Sequence, residues 1–487
     1  MMRKYIKQTW IIGVFAVMAA TLLSCKKQIN LAPENATYDE VFWVDGSNVD
    51  KALSGSYSML RDAFRADNSY FIFGDIAANN FALGSDFWNY TSFIESGHFN
   101  FNYAPYLEPS VKDWSRFYAI VTQCHQIIEK SPGIPDSKFD GGAEQKKRLI
   151  GEAKFLRAYV YFYMQRVWGD VILTKTTFKD PQNIPPAGRA PESETLEFCL
   201  SDLQSASAML DNSANKTHAN KMSALALMAH VYAWKKDYTN AEKYCDSVIQ
   251  DSPLALETIE DYKKIWEGNS QESILELNMK YDAISNEATA DFFSRFLTAP
   301  YIKGRDGVNS SWPINPDLEN EIFSEPELRK GIIMEDAAGG GGLKILTKYT
   351  NVNYFDPNNS NSYVVSNNLV LLRLADIYLL RAEARYKNGK TGDALLDLNV
   401  IRERAGLADY EETGSELFDE IANERRRELI GEGCIQFDLI RMEQLPKLFS
   451  DYTIDRIAKK GYFWPLDMRT LLKQDELLTQ NEWWNNN

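Results

Sequence analysis

A repeat of small and aromatic residues at helical spacing constrains this chain more than any other feature. Between Met228 and Pro253, Ala229 takes the first small position of the 34-residue tetratricopeptide pattern and Tyr232 the aromatic one. Tyr238, Ala241, Cys245, Val248 and Pro253 fall at its later spacings. Residues 369–406 keep the same register with Ala382, Gly389, Ala394, Leu398 and Ile401, and a weaker match surrounds Ala158 and Tyr161. Two antiparallel helices must approach closely at the small residues, while larger ones plug the next pair. One pair cannot bury its apolar face alone, so at least three are needed. Further amphipathic runs at 48–64, 111–130, 147–167, 193–210 and 221–250 supply them. The pattern predicts a mainly α fold with about four tetratricopeptide-like helix pairs.

Two regions break the pattern, 67–108 and 254–368. Both are rich in Asn, Gly and aromatic residues, and the second also in Pro, with short β-like pieces such as 273–277. Irregular segments of this length usually carry function. The 13% aromatic content serves helix interfaces, but aromatic rings are also the flat faces on which sugars stack. Trp88, Asn89 and Tyr90, with Asp75 and Asn80 nearby, offer an aromatic and amide mixture in the first region. Tyr301, Arg305 and Trp312 offer it in the second, and Tyr354-Phe355 lies beyond. These eight residues, 75, 80, 88–90, 301, 305 and 312, are the ligand-binding candidates. Packing is the competing use of each ring, most of all of Trp312.

The first residues give an address. Arg3, Lys4 and Lys7 precede an apolar run over 10–23, the length of a signal-peptide core and short of the about 20 residues a bilayer span needs. Leu22-Leu23-Ser24-Cys25 ends it and resembles a lipobox, although Leu23 is bulkier than the usual residue there. Residues 1–24 are expected to be a lipoprotein signal peptide and Cys25 the lipidation site. Several acyl chains, at about 0.8 kcal/mol per buried methylene, anchor a domain stably. Cys124, Cys199, Cys245 and Cys434 lie in helix-like segments without CxxC spacing and are expected as buried free thiols, a single disulfide being the alternative.

The net charge of −15 disfavours nucleic acid as a partner. Four histidines, His98, His125, His218 and His230, form neither HExxH nor another ligand cluster, so no metal centre is expected. There is no GxSxG elbow. Gly389-Lys390-Thr391 sits in a repeat turn, with Ala384 where a phosphate loop needs its first glycine. Neither a cofactor nor an enzymatic activity is expected.

Longer matches place the chain in a family. Residues 151–159 (GEAKFLRAY) leading to Trp168-Gly169-Asp170-Val171 resemble a characteristic stretch of SusD/RagB proteins. So do 372–384 (LRLADIYLLRAEA), 399–406 (NVIRERAG), 424–441 (ERRRELIGEGCIQFDLIR), Trp464-Pro465-Leu466, and Leu31-Ala32-Pro33 with Phe42-Trp43. Cys434 stands where histidine or arginine is common, and Asp467 replaces a second proline. The resemblance implies a SusD-like domain over 25–487, with an N-terminal part to about 350 and a C-terminal RagB/SusD part over about 351–487. It implies a nutrient-binding lipoprotein of the cell outer membrane, facing the exterior and partnered with a SusC-like TonB-dependent transporter. Its ligand would be an oligosaccharide, with peptide uptake of the RagB kind as the alternative. A polysaccharide-degrading lipoprotein or a periplasmic adaptor is the less favoured reading. Arg425, Arg426, Arg427, Glu428 and Asp438 are expected to pin helices together as scaffold.

Overall fold

The structure is a computed structural model and describes residues 39–82, 94–95, 98–99, 111–178, 184–251, 253–279, 290–323 and 326–485. Its frame is a row of antiparallel helix pairs. The first pair is α1 (Gly46–Arg65) with α2 (Ser115–Lys130), the second α3 (Gly142–Trp168) with α4 (Glu192–Met209), the third α5 (Lys221–Trp234) with α6 (Tyr238–Gln250). Each helix packs on the next in sequence.

Local chemistry explains the boundaries. Asp45 accepts a hydrogen bond from the Asn48 amide at the head of α1, and Asn220 with Ser223 forms a capping box at the head of α5. Gly169 stops α3 with φ of +75°. A Cβ there would lie 2.8 Å from the Phe463 ring.

The irregular region supplies three antiparallel strand pairs. These are β1 (Ser273–Leu277) with β6 (Leu369–Arg373), β2 (Met334–Asp336) with β3 (Lys344–Leu346), and β4 (Val352–Tyr354) with β5 (Tyr363–Val365). The run Gly340-Gly341-Gly342, at φ between +71° and +76°, turns the chain between β2 and β3. The fourth helix pair follows, α7 (Leu374–Lys387) with α8 (Thr391–Arg404), and α7 packs on α6. Helices α9 (Ser415–Leu429) and α10 (Ile435–Arg441) complete the frame.

The mainly α architecture and the four helix pairs are as the repeat predicts. One boundary differs. Residues 369–373, read as the start of the second repeat, form β6 and pair with β1, Leu277 opposite Leu369 and Ser273 opposite Arg373. Apolar residues on both faces of this stretch are satisfied by a buried two-stranded ladder, and the helix begins only after Arg373. The four described cysteines are free thiols, three of them buried.

Two cores result. Around α1 to α3 the interior is aromatic: Phe64 lies 4.8 Å from Tyr163, and Trp168 lies 5.6 Å from Phe117 and 5.3 Å from Phe73. Each buried ring contributes about 1.5–3 kcal/mol by leaving water. Around α7 to α10 an aliphatic core that includes Leu379, Leu398, Ile401 and Leu417 is joined by a buried ionic network. Arg373 pairs with Glu272 (2.7 Å), Glu428 (2.6 Å) and Glu432 (2.8 Å), and Arg329 pairs with Glu424 (2.6 Å) and Glu428 (2.7 Å). Arg425 joins Asp376 to Asp438, and Arg441 holds Glu383. Burial raises the Glu428 carboxyl, but Arg404, Arg373 and Arg329 outweigh it and hold the group well below the usual carboxylate range.

Candidate functional site

Opposite demands separate the loop residues into an interior set and a surface set. Asp75, Asn80 and Trp312 belong to the interior. Asp75 lies within the wide helical turn Ile72–Ile76 and is fully buried. Its carboxylate accepts hydrogen bonds from the Gly431 amide (2.9 Å), the Gly433 amide (2.5 Å) and the Asn80 side-chain amide (3.0 Å). Burial pushes its pKa up to about 6, and the two backbone N–H groups oppose that rise. Two backbones approach very closely here, since a Cβ on Gly74 would lie 2.0 Å from the Gly433 carbonyl oxygen. Trp312 is 1% exposed and packs on Phe71 and Phe296 at 6.1 and 5.4 Å. The structure therefore places all three away from solvent, and Asp75 joins the first loop region to the turn after α9. A polar or aromatic residue in a loop reads the same in sequence whether the loop lies inside or outside.

Tyr301 and Arg305 belong to the surface set, on the loop that faces the β4–β5 hairpin. The Tyr301 hydroxyl donates to Glu335 of β2. Arg305 donates to the carbonyls of Ser294 (3.2 Å) and Leu297 (3.4 Å) and to the Tyr363 hydroxyl (3.1 Å). The Lys303 amide donates to the Tyr354 hydroxyl at 2.7 Å, and its ammonium lies 4.4 Å from the centre of that ring. Tyr354 and Tyr363 stand opposite each other across the hairpin, ring centres 6.2 Å apart.

The turn joining these strands ties itself together. Ser362 donates to the carbonyls of Asp356 (2.6 Å) and Asn359 (2.8 Å), and Asp356 accepts from the Asn358 amide. The result is a fixed turn with Phe355 61% exposed and Asn358, Asn359 and Asn361 exposed around it. A presented ring bordered by planar amides is suited to stacking on a sugar face and bonding its hydroxyls. Lys303 and these asparagines were not among the sequence candidates, although an Asp-Pro-Asn-Asn-Ser-Asn-Ser run after Tyr-Phe is a legible turn. Trp88, Asn89, Tyr90 and Cys25 lie outside the described residues.

Among the described residues no group of three or more His, Cys, Asp or Glu side chains is placed to hold a metal ion. Among them, too, no helix is long and apolar enough to cross a membrane.

A row of tetratricopeptide-like helix pairs carrying an irregular, aromatic loop face defines a repeat-built protein whose distinctive surface lies in its loops. Comparison gives that class a family: the chain matches the SusD family over residues 205–484, and so belongs to it. Residues 58–233 also match a family described as starch-binding and associating with the outer membrane. SusD-like protein P38 of Formosa agariphila is 25% identical, the alignment covering 98% of this chain and 99% of that one. A SusD-like protein of Bacteroides ovatus is 27% identical over 88% of this chain and 81% of its own. A solved SusD superfamily protein from Bacteroides thetaiotaomicron superposes with a TM-score of 0.77 at 25% identity, covering 91% of this chain and 99% of that one.

Proposed function

We propose that the protein is a lipid-anchored, exterior-facing outer-membrane binding protein that captures oligosaccharide and hands it to a SusC-like TonB-dependent transporter. The observation that carries this reading is the family match, which includes a family described as starch-binding and outer-membrane-associated. The loop face adds a local reason. Phe355 offers a stacking surface, with Asn358, Asn361 and Lys303 as hydroxyl partners beside it. Tyr301 and Arg305 lie on the neighbouring loop, and Trp88, Asn89 and Tyr90 are proposed as further ligand contacts. Capture needs no bond to be broken, and we assign the protein no catalytic step.

Cys25 is the proposed anchor. Replacing it, Cys25→Ala, is expected to release the protein from the membrane fraction, and continued membrane association would refute the anchor. The function itself is tested by a binding screen against plant, host and microbial glycans alongside peptide pools. A glycan hit weakened by Trp88→Ala or Phe355→Ala supports the reading. Binding to peptides alone would replace it with a peptide-uptake role.

A further inference from the structure

A small cavity lies deep between α3, α5, β6 and the Glu432–Cys434 turn, where the aromatic and charged cores meet. Its volume is about 40 Å³. A water needs about 10–15 Å³ on the same measure, so two or three small bodies fit and a sugar does not. Tyr70, Tyr159, Tyr163, His230, Asp376 and Glu432 line it and are buried.

Arg166 of α3 also lines it, and its surroundings are unusual. Its guanidinium lies 4.4 Å from the Phe162 ring centre and 4.6 Å from that of Phe437. Two phenyl rings thus cover it, and its Nε has no hydrogen-bond partner. No described carboxylate pairs with it. The lining carboxylates are already taken: Asp376 by His230 (2.7 Å) and Arg425 (2.6 Å), Glu432 by Lys348 (2.6 Å) and Arg373 (2.8 Å). Asp438, the next acid, is held by Arg425 (2.7 Å) and Arg441 (3.0 Å). Burial pulls the Arg166 guanidinium below its ordinary pKa. The Tyr163 hydroxyl is buried and also without a partner, whereas Tyr70 is committed to the Glu432 carbonyl at 2.8 Å.

Arg166 is half-buried, and a cation so enclosed by rings and without a counter-charge is still costly; a water would satisfy its N–H groups without neutralising it. We propose that this cavity is a site for one small monovalent anion of chloride size, bound by the Arg166 guanidinium and the Tyr163 hydroxyl. The anion clamps α3 to α10 through Arg166 and Phe437, at the joint between the two cores.

The test is thermal unfolding of the full-length chain in detergent, at fixed ionic strength, as gluconate is replaced stepwise by chloride or bromide. A ligand that binds only the folded state raises the melting temperature saturably. The expected result is a rise of several degrees, with Tyr163→Phe moving its half-saturation to several-fold higher halide and Arg166→Met abolishing it. An equal melting temperature in gluconate and halide would mean water alone fills the cavity and overturns the proposal, as would a halide effect that survives in Arg166→Met. If that variant fails to fold, crystals of the unaltered protein in bromide decide. An anomalous peak beside Arg166 supports the site, and its absence there overturns it.

Discussion

The two cores of this protein are built on different physics, and the contrast separates what is replaceable from what is specified. Around α1 to α3, rings such as Phe64, Phe117, Tyr163 and Trp168 meet at varied tilts. Their attraction is largely non-directional, so shape can be traded for shape. Around α7 to α10, Arg373 has three carboxylate partners and Arg329 joins Glu424 and Glu428 at 2.6 and 2.7 Å. Such charges repay the loss of water only with every partner in place. Apolar burial supplies bulk stability in both regions, and the ionic network adds geometric demands that the aromatic core lacks.

The sharpest way to break the contrast is Arg373→Met, which keeps the length of the side chain and removes its charge. Three buried carboxylates would lose a partner, and we expect a loss of about 3–5 kcal/mol in urea unfolding. A loss under about 1 kcal/mol would show that the ionic core is no more demanding than the aromatic one. Phe64→Leu is the matching change in the other core. It should cost only about 1.5 kcal/mol by the same measurement, because neighbouring rings can settle around a smaller apolar group.

A smaller effect sharpens the boundary of the aromatic region. His218 bonds the buried Glu152 at 2.8 Å, and Glu152 in turn accepts from the Tyr57 hydroxyl at 3.1 Å. The bond to Glu152 raises the imidazole pKa more than its burial lowers it. A raised histidine stabilises the fold fully below the unfolded pKa, and that contribution disappears as pH rises through the folded value. With a partly exposed ring the contribution should be about 1 kcal/mol at most. His218→Gln should remove this pH dependence from the unfolding midpoint, and an unchanged profile would show that the pair adds nothing. Smallest of all, Phe355→Ala should alter stability by less than about 0.5 kcal/mol, since its ring lies outside both cores.

The helix pairs were legible because burying one stripe of a helix imposes a period, and Ala229, Ala241, Cys245 and Val248 display it. The ionic core was legible as a run of Arg and Glu in α9, but its remote partners were not. Glu272, Arg329 and Lys348 lie far away in sequence and carry no local mark of their role. The loop face was only partly legible. Asp75, Asn80 and Trp312 look like Tyr301 and Arg305 in sequence, and tertiary packing alone sends the first three inward. The strand over 369–373 was hidden for a related reason, since a fully buried apolar run fits helix and strand alike.

The central claim is that the scaffold holds and the exposed turn binds. One measurement meets it directly: the affinity of Phe355→Ala for an oligosaccharide that binds the unaltered protein, measured beside its melting temperature. The account predicts an affinity at least about tenfold weaker, near 1.4 kcal/mol, at an unchanged melting temperature. Undiminished affinity in a variant that melts normally would contradict it, and ligand recognition would then have to lie elsewhere on the loop face.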